Sequence, residues 1–228
     1  MRLSRFESVR ALARAAGLVS LAIATCSQAQ SQYEEWWQYN KRSVAMLPPY
    51  CKYTPIYGAQ IPGLNRAEVQ AEVRAETQRW SATMGEQNWR HMHHYCKGLE
   101  AINSALYYAR TKLDRDRLLR SALNEFDYVI PRVAPDFAVL PEMLTRKGET
   151  LVRLGRAPEG VGQLNRAIEL KRDYWPPYAA LSDHYKKAGD LANAREWLEK
   201  GLSAAPDAKA LQRRLAELDK SSRKATRK

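Results

Sequence analysis

Strand-forming sequence is nearly missing from this 228-residue chain. Runs of β-branched residues and alternating apolar–polar stretches are scarce, whereas Ala, Leu, Arg and Glu dominate, so an all-α fold is expected. No G-x-S-x-G, P-loop, H-E-x-x-H or dinucleotide fingerprint occurs. The carboxylates are scattered beside Arg and Lys, the pattern of solvated helical faces. No enzyme and no cofactor is therefore expected. A C-x-x-C pair is also missing, which removes the usual redox motif. Past residue 30 no apolar run reaches the roughly 20 residues that span a bilayer as a helix.

What is present reads as globular: 45% hydrophobic and 27% charged residues in a length that allows one or two domains. The formal charge of +12 would ordinarily raise nucleic acid as a partner. Part of it, however, belongs to a leader carrying Arg2, Arg5, Arg10 and Arg14 against Glu7, whose removal leaves +9. More sits at the end of the chain, where Lys220, Arg223, Lys224, Arg227 and Lys228 face only Asp219. Residues 221–228 read as a solvated basic tail, or as a weak contact for anionic lipid, polymer or an acidic partner. Nucleic acid is not the expected partner.

Residues 1–29 have the three parts of a secretory signal: a basic start, the apolar stretch 15–24, and small residues Ser27 and Ala29 before a cut after Ala29. Export to the periplasm follows. Cys26 offers an alternative, since bacterial lipoproteins are cut just before a cysteine. Thr25 fits that pattern poorly. Membrane attachment, as an outer-membrane lipoprotein, is expected only if Cys26 is lipidated.

Cys51 and Cys96 then remain, an even number in an oxidising compartment, and a disulfide between them is expected, with two buried free thiols as the alternative. Residues 30–85 form an amino-terminal helical module. Residues 33–47 read as an aromatic-rich helix ended by Pro48-Pro49, and 50–64 as a Pro/Gly loop. A second helix starts at Asn65 with Glu68 in capping-box spacing, carries Val69, Val73, Trp80 and Met84 on one face, and stops at Gly85.

A long helix is expected from about Glu86 to Arg110, with Trp89, Met92, Cys96, Leu99, Ile102, Leu106 and Ala109 as its apolar stripe. His91, His93 and His94 lie within it and are, with Cys96, transition-metal ligands by type. At about 100° per residue the three imidazoles point in three directions, and no i, i+4 pair exists. Only two-ligand half-sites, His91/His94 or His93/Cys96, are available. The expected role is structural, with His93 packed and hydrogen-bonded beside the stripe. Metal binding by His91, His93 and His94 is the alternative.

The carboxyl-terminal half contains the same helical hairpin twice. A shift of 34 residues places Leu151 on Tyr185, Gly155 on Gly189, Gly160 on Ala194, Leu164 on Leu198, Ala167 on Gly201 and Ile168 on Leu202. Small residues at 148/182, 160/194 and 167/201 would let paired helices approach, and large ones would fill the space between. This pattern resembles the tetratricopeptide repeat. The units fall at 141–174 and 175–208, preceded by a degenerate copy at 86–140 with Gly98 at its small position. That copy's second helix is placed at about Asp116–Val133, after an insertion with Asp114 as N-cap. Leu211, Leu215 and Leu218 mark a capping helix at 209–220. Lys147 departs from the pattern where an apolar residue is usual.

The resemblance implies a short α-solenoid of helix-turn-helix repeats between an amino-terminal helical extension and a capping helix. It further implies a non-enzymatic scaffold or adaptor that binds a segment of another envelope protein in a groove lined by first helices. Glu142, Thr145, Glu149, Arg153, Ala179, Asp183 and Lys186 fall on that face. Chaperone-binding members clamp a carboxyl terminus with Lys and Asn, where this chain has Thr145/Ala179 and Glu149/Asp183. That clamp is not expected.

Overall fold

Glycine and proline cut the apolar periodicity of this chain into short helices. The computed structural model describes residues 44–54, 63–64 and 66–225, with the side chains of Glu68 and residues 221–225 set aside. The segment expected to be a signal sequence, Cys26, most of the aromatic helix expected at 33–47, most of the expected Pro/Gly loop, Asn65 and the last three residues lie outside these. The chain divides into two compact units at Met46/Leu47. Of the first, only residues 44–46 are described, and Val44 and Ala45 are helical.

Among the described residues of the second unit there are nine α-helices and no strand. They are α1 (Gln70–Met84), α2 (Glu86–Trp89), α3 (Met92–Tyr107), α4 (Lys112–Val129) and α5 (Leu140–Arg153). The remainder are α6 (Ala157–Leu170), α7 (Pro176–Lys187), α8 (Leu191–Ala204) and α9 (Lys209–Ala225). Neighbours in sequence pack as neighbours in space: α3 with α4, α5 with α6, and α7 with α8, with α9 against the last pair.

The last two hairpins share their punctuation. Helices α5 and α7 end at Arg153 and Lys187, α6 and α8 start at Ala157 and Leu191, and they end at Leu170 and Ala204. At each turn a glycine takes the left-handed conformation, Gly155 at φ 81° and Gly189 at φ 83°. The Arg156 N–H donates to the Leu151 carbonyl at 2.9 Å and the Gly155 N–H to that of Val152 at 3.1 Å. Asp190 and Gly189 repeat both bonds onto Tyr185 and Lys186. This pair of bonds satisfies carbonyls that a helix end would otherwise leave bare.

Missing side chains set the distance between paired helices. A Cβ at Gly160 would stand 2.7 Å from the Gly148 carbonyl oxygen, and one at Gly201 would stand 2.8 Å from Tyr178 Cβ. Leu164, Ala167, Ala194 and Leu198 are sealed in the space so formed. At α3–α4, Gly98 lies against the Phe126 ring, and Met92, Tyr95, Leu119 and Leu123 of the same two helices are buried.

The amino-terminal part of the unit is fastened covalently. Cys51 and Cys96 form a disulfide with Cα atoms 5.6 Å apart, and both are fully buried. Cys51 belongs to a 3-10 turn, Pro49–Tyr53, whose Tyr53 carbonyl accepts a hydrogen bond from Thr77 of α1 at 3.0 Å.

Four local expectations differ from the structure. The helix expected from Glu86 to Arg110 is broken after Trp89, where the His91 N–H donates to the Asn88 carbonyl and the His94 N–H to the His91 carbonyl, each at 3.1 Å and three residues back rather than four. Beside this break the Asn88 side chain is held on both sides. Its amide donates to the Met84 carbonyl and its Oδ1 accepts the Ala134 N–H, each at 2.8 Å. Helix α4 begins a turn earlier than expected, since Thr111 and not Asp114 is the N-cap: its hydroxyl accepts the Asp114 N–H at 3.0 Å. Little insertion remains there. Helix α1 buries none of its residues, so its apolar stripe is only half covered. It is preceded by a 3-10 turn at Ala67–Val69 that no side chain caps. Finally α9 extends to Ala225, beyond the capping helix expected at 209–220.

Candidate functional site

The turns and glycine contacts fix how α5 and α7 are rotated. Met143, Leu144 and Leu151 point inward on α5, leaving Arg146, Glu149 and Arg153 toward solvent. On α7, Tyr178, Leu181 and Ser182 are buried, leaving Asp183, Lys186 and Lys187 outside. Two hollows of about 210 Å³ each result. The first lies between α5 and α7, walled by Glu149, Val152, Arg153, Asp183, His184 and Lys187 over Leu164. The second lies between α7 and α9, walled by Asp183, Lys186, Arg213, Arg214 and Glu217 over Leu198 and Leu218. Asp183 is common to both.

Charges in these hollows are partly matched within the protein. Glu149 stands 3.4 Å from Arg146 and 3.6 Å from Arg153. Asp183 stands 3.3 Å from Arg214. All are at least one-fifth exposed, so these pairs are individually weak and exchangeable. Each hollow is below the roughly 300 Å³ at which small-molecule pockets begin. Joined at Asp183, they form a shallow, mixed-charge track.

Of the residues expected on the groove, Glu149, Arg153, Asp183 and Lys186 line these hollows. Thr145 and Ala179 do not: both are buried, and the Thr145 hydroxyl donates to the Pro141 carbonyl. Glu142 is engaged by the Tyr95 hydroxyl, which donates to it at 2.9 Å from a fully buried ring. Burial first, and the Glu142 carboxylate second, push the phenols of Tyr50, Tyr95 and Tyr174 above their ordinary range. These are neutral packing groups. The contribution of α9 went unread, although Arg213, Arg214 and Glu217 form a polar face opposite its leucines. Lys147, the departure from the repeat pattern, pairs with Asp127 of α4 at 2.7 Å and so joins two hairpins.

Two of the three histidines meet at one tyrosine of α4. His91 lies in the turn before α3, so the uniform 100° step does not apply to it. His91 and His94 both meet Tyr128 of α4, with ring centroids 5.8 and 3.9 Å away, and the His93 ring is 4.2 Å from that of His94. Arg132 lies over the same tyrosine at 3.9 Å, and His94 Nδ1 is 2.6 Å from Glu125. His93 is buried as expected, but its Nδ1 has no hydrogen bond. Burial, then His94 and Lys97, hold its pKa below 6.5. Among the described residues no three His, Cys, Asp or Glu side chains converge as metal ligands. Nor is any described helix long and apolar enough to cross a membrane.

Compared with protein-family models, with curated proteins and with solved structures, the chain matches none of them.

Proposed function

We propose that this protein is a non-enzymatic interaction scaffold of the tetratricopeptide-repeat type, working in the periplasm and holding an extended segment of another envelope protein. The observation that carries the reading is the pair of 210 Å³ hollows sharing Asp183 along α5, α7 and α9. Hollows of that size accept successive side chains of a peptide better than one small molecule. Their walls offer both signs of charge, which favours a segment carrying both. The repeated turn geometry at Gly155 and Gly189 supports the repeat assignment and a short solenoid built on it. The leader supports export.

Changing Glu149 and Asp183 together to Lys reverses the acidic side of the track at surface positions. Crosslinked pull-down from the periplasm should lose its specific partner in this double variant while its thermal melt stays within a few degrees of wild type. Recovery of the same partner in the same yield would refute the groove.

A further inference from the structure

The ends of α3 and α4 that meet at their connecting turn carry the two most exposed large apolar side chains among the described residues, Leu113 at 73% and Tyr107 at 63%, together with Leu106 at 46%. All three fall within eight residues at one end of a hairpin whose Leu119, Ala122, Leu123 and Phe126 are buried. Their exposure is therefore not a symptom of a loose core. Soluble surfaces carry single exposed leucines without consequence, but two leucines and a tyrosine flanking one turn mark a contact. The collar around them is basic: residues 106–120 hold Arg110, Lys112, Arg115, Arg117 and Arg120 against only Asp114 and Asp116. Asp114 is paired with Arg117 at 3.4 Å, and Asp116 with both Lys112 at 2.6 Å and Arg115 at 3.4 Å, so five cations against two carboxylates leave the collar a net charge of +3. An apolar apex with a tyrosine and a cationic collar has the layout of an interfacial anchor. Leucines enter the acyl boundary, tyrosine sits at headgroup level, and cations meet anionic headgroups. We propose that the α3–α4 tip docks this protein on an anionic membrane surface, independently of the groove and of any acyl chain at Cys26.

The test is co-sedimentation of the protein, as purified, with phosphatidylcholine vesicles containing none or 30% phosphatidylglycerol. Three proteins are compared: wild type, Leu106→Ser/Tyr107→Ser/Leu113→Ser and Arg110→Gln/Lys112→Gln. Wild type should bind the anionic vesicles, less so as salt rises. Each cation near an anionic surface is worth about fivefold in partitioning, so the charge variant should bind about 25-fold more weakly. The apolar variant should lose at least tenfold, with an unchanged melting curve because the replaced side chains are exposed. Binding of either variant equal to wild type would overturn the proposal, since the leader and Cys26 are the same in all three. So would equal binding to neutral vesicles. Sedimentation velocity supplies the remaining outcome: a wild-type dimer made monomeric by the apolar variant would make the tip a self-association surface instead.

Discussion

Alanine at Gly160 and alanine at Gly162, two positions apart on α6, should change stability in opposite directions. A Cβ at Gly160 would lie 2.7 Å from both the Gly148 carbonyl oxygen and Val152 Cγ2, inside the 3.4 Å at which ordinary contact begins. The shortfall of about 0.7 Å falls against backbone, which cannot swing aside as a side-chain end would. Overpacking of this kind costs about 1–3 kcal/mol. Alanine also gains about 1 kcal/mol of helix propensity over glycine, so the net loss for Gly160→Ala should be up to about 2 kcal/mol. That corresponds to a melting point lower by up to about 8 °C in a unit of this size. At Gly162 nothing lies within 4 Å of the added carbon, so Gly162→Ala should keep the propensity gain and stabilise by up to about 1 kcal/mol. Gly148→Ala strains the same crossing, with its Cβ 2.9 Å from the Gly160 carbonyl. The Gly148→Ala/Gly160→Ala double variant should therefore lose less than the two single losses combined, by at least about 0.5 kcal/mol. Urea unfolding followed by circular dichroism at 222 nm measures all four. A Gly160→Ala protein as stable as wild type, or a Gly162→Ala protein less stable, would refute the close-packed crossing.

Other parts of the structure make equally direct predictions. Reducing Cys51–Cys96, or replacing both residues by Ser, opens a loop closed over 45 residues and should lower unfolding free energy by up to about 4 kcal/mol, read as a lower urea midpoint with dithiothreitol. Tyr95→Phe removes a buried hydrogen bond to a carboxylate and should cost about 1.5–3 kcal/mol. Tyr50→Phe should be neutral or stabilising in the same assay, because the Tyr50 hydroxyl is buried without a partner. His93, whose pKa burial holds below 6.5, binds a proton more readily unfolded than folded. Stability should thus be full above pH 6.5 and fall as pH drops through the folded value. His93→Asn should flatten that slope in a series of melts from pH 7.5 to 5.

Legibility in the sequence followed the range of the interactions. The last two hairpins could be read in advance because local residues set them: a left-handed glycine at each turn, small residues at each crossing, leucines between. The first hairpin departs from its local signals where distant partners act. Asn88, beside the break after Trp89, is bonded by Ala134, 46 residues away. Thr111 capped a helix for which Asp114 was as good a candidate by type. In the groove, the repeat resemblance assigns residues to the first helices but not their depth. Thr145 and Ala179 lie on α5 and α7 as expected, yet tertiary packing buries both. Nor does it mark α9 as the far wall, since that helix stands out in sequence by its leucines and its polar face carries no motif.

Site-specific photocrosslinking in intact cells tests the groove most directly. A benzophenone side chain is placed at Lys187, on the wall between α5 and α7, and separately at Lys200, which is half exposed on α8. One covalent adduct of defined mass is expected from Lys187 and none from Lys200. An adduct from Lys200 alone, or equal adducts from both, would place the partner elsewhere and contradict it.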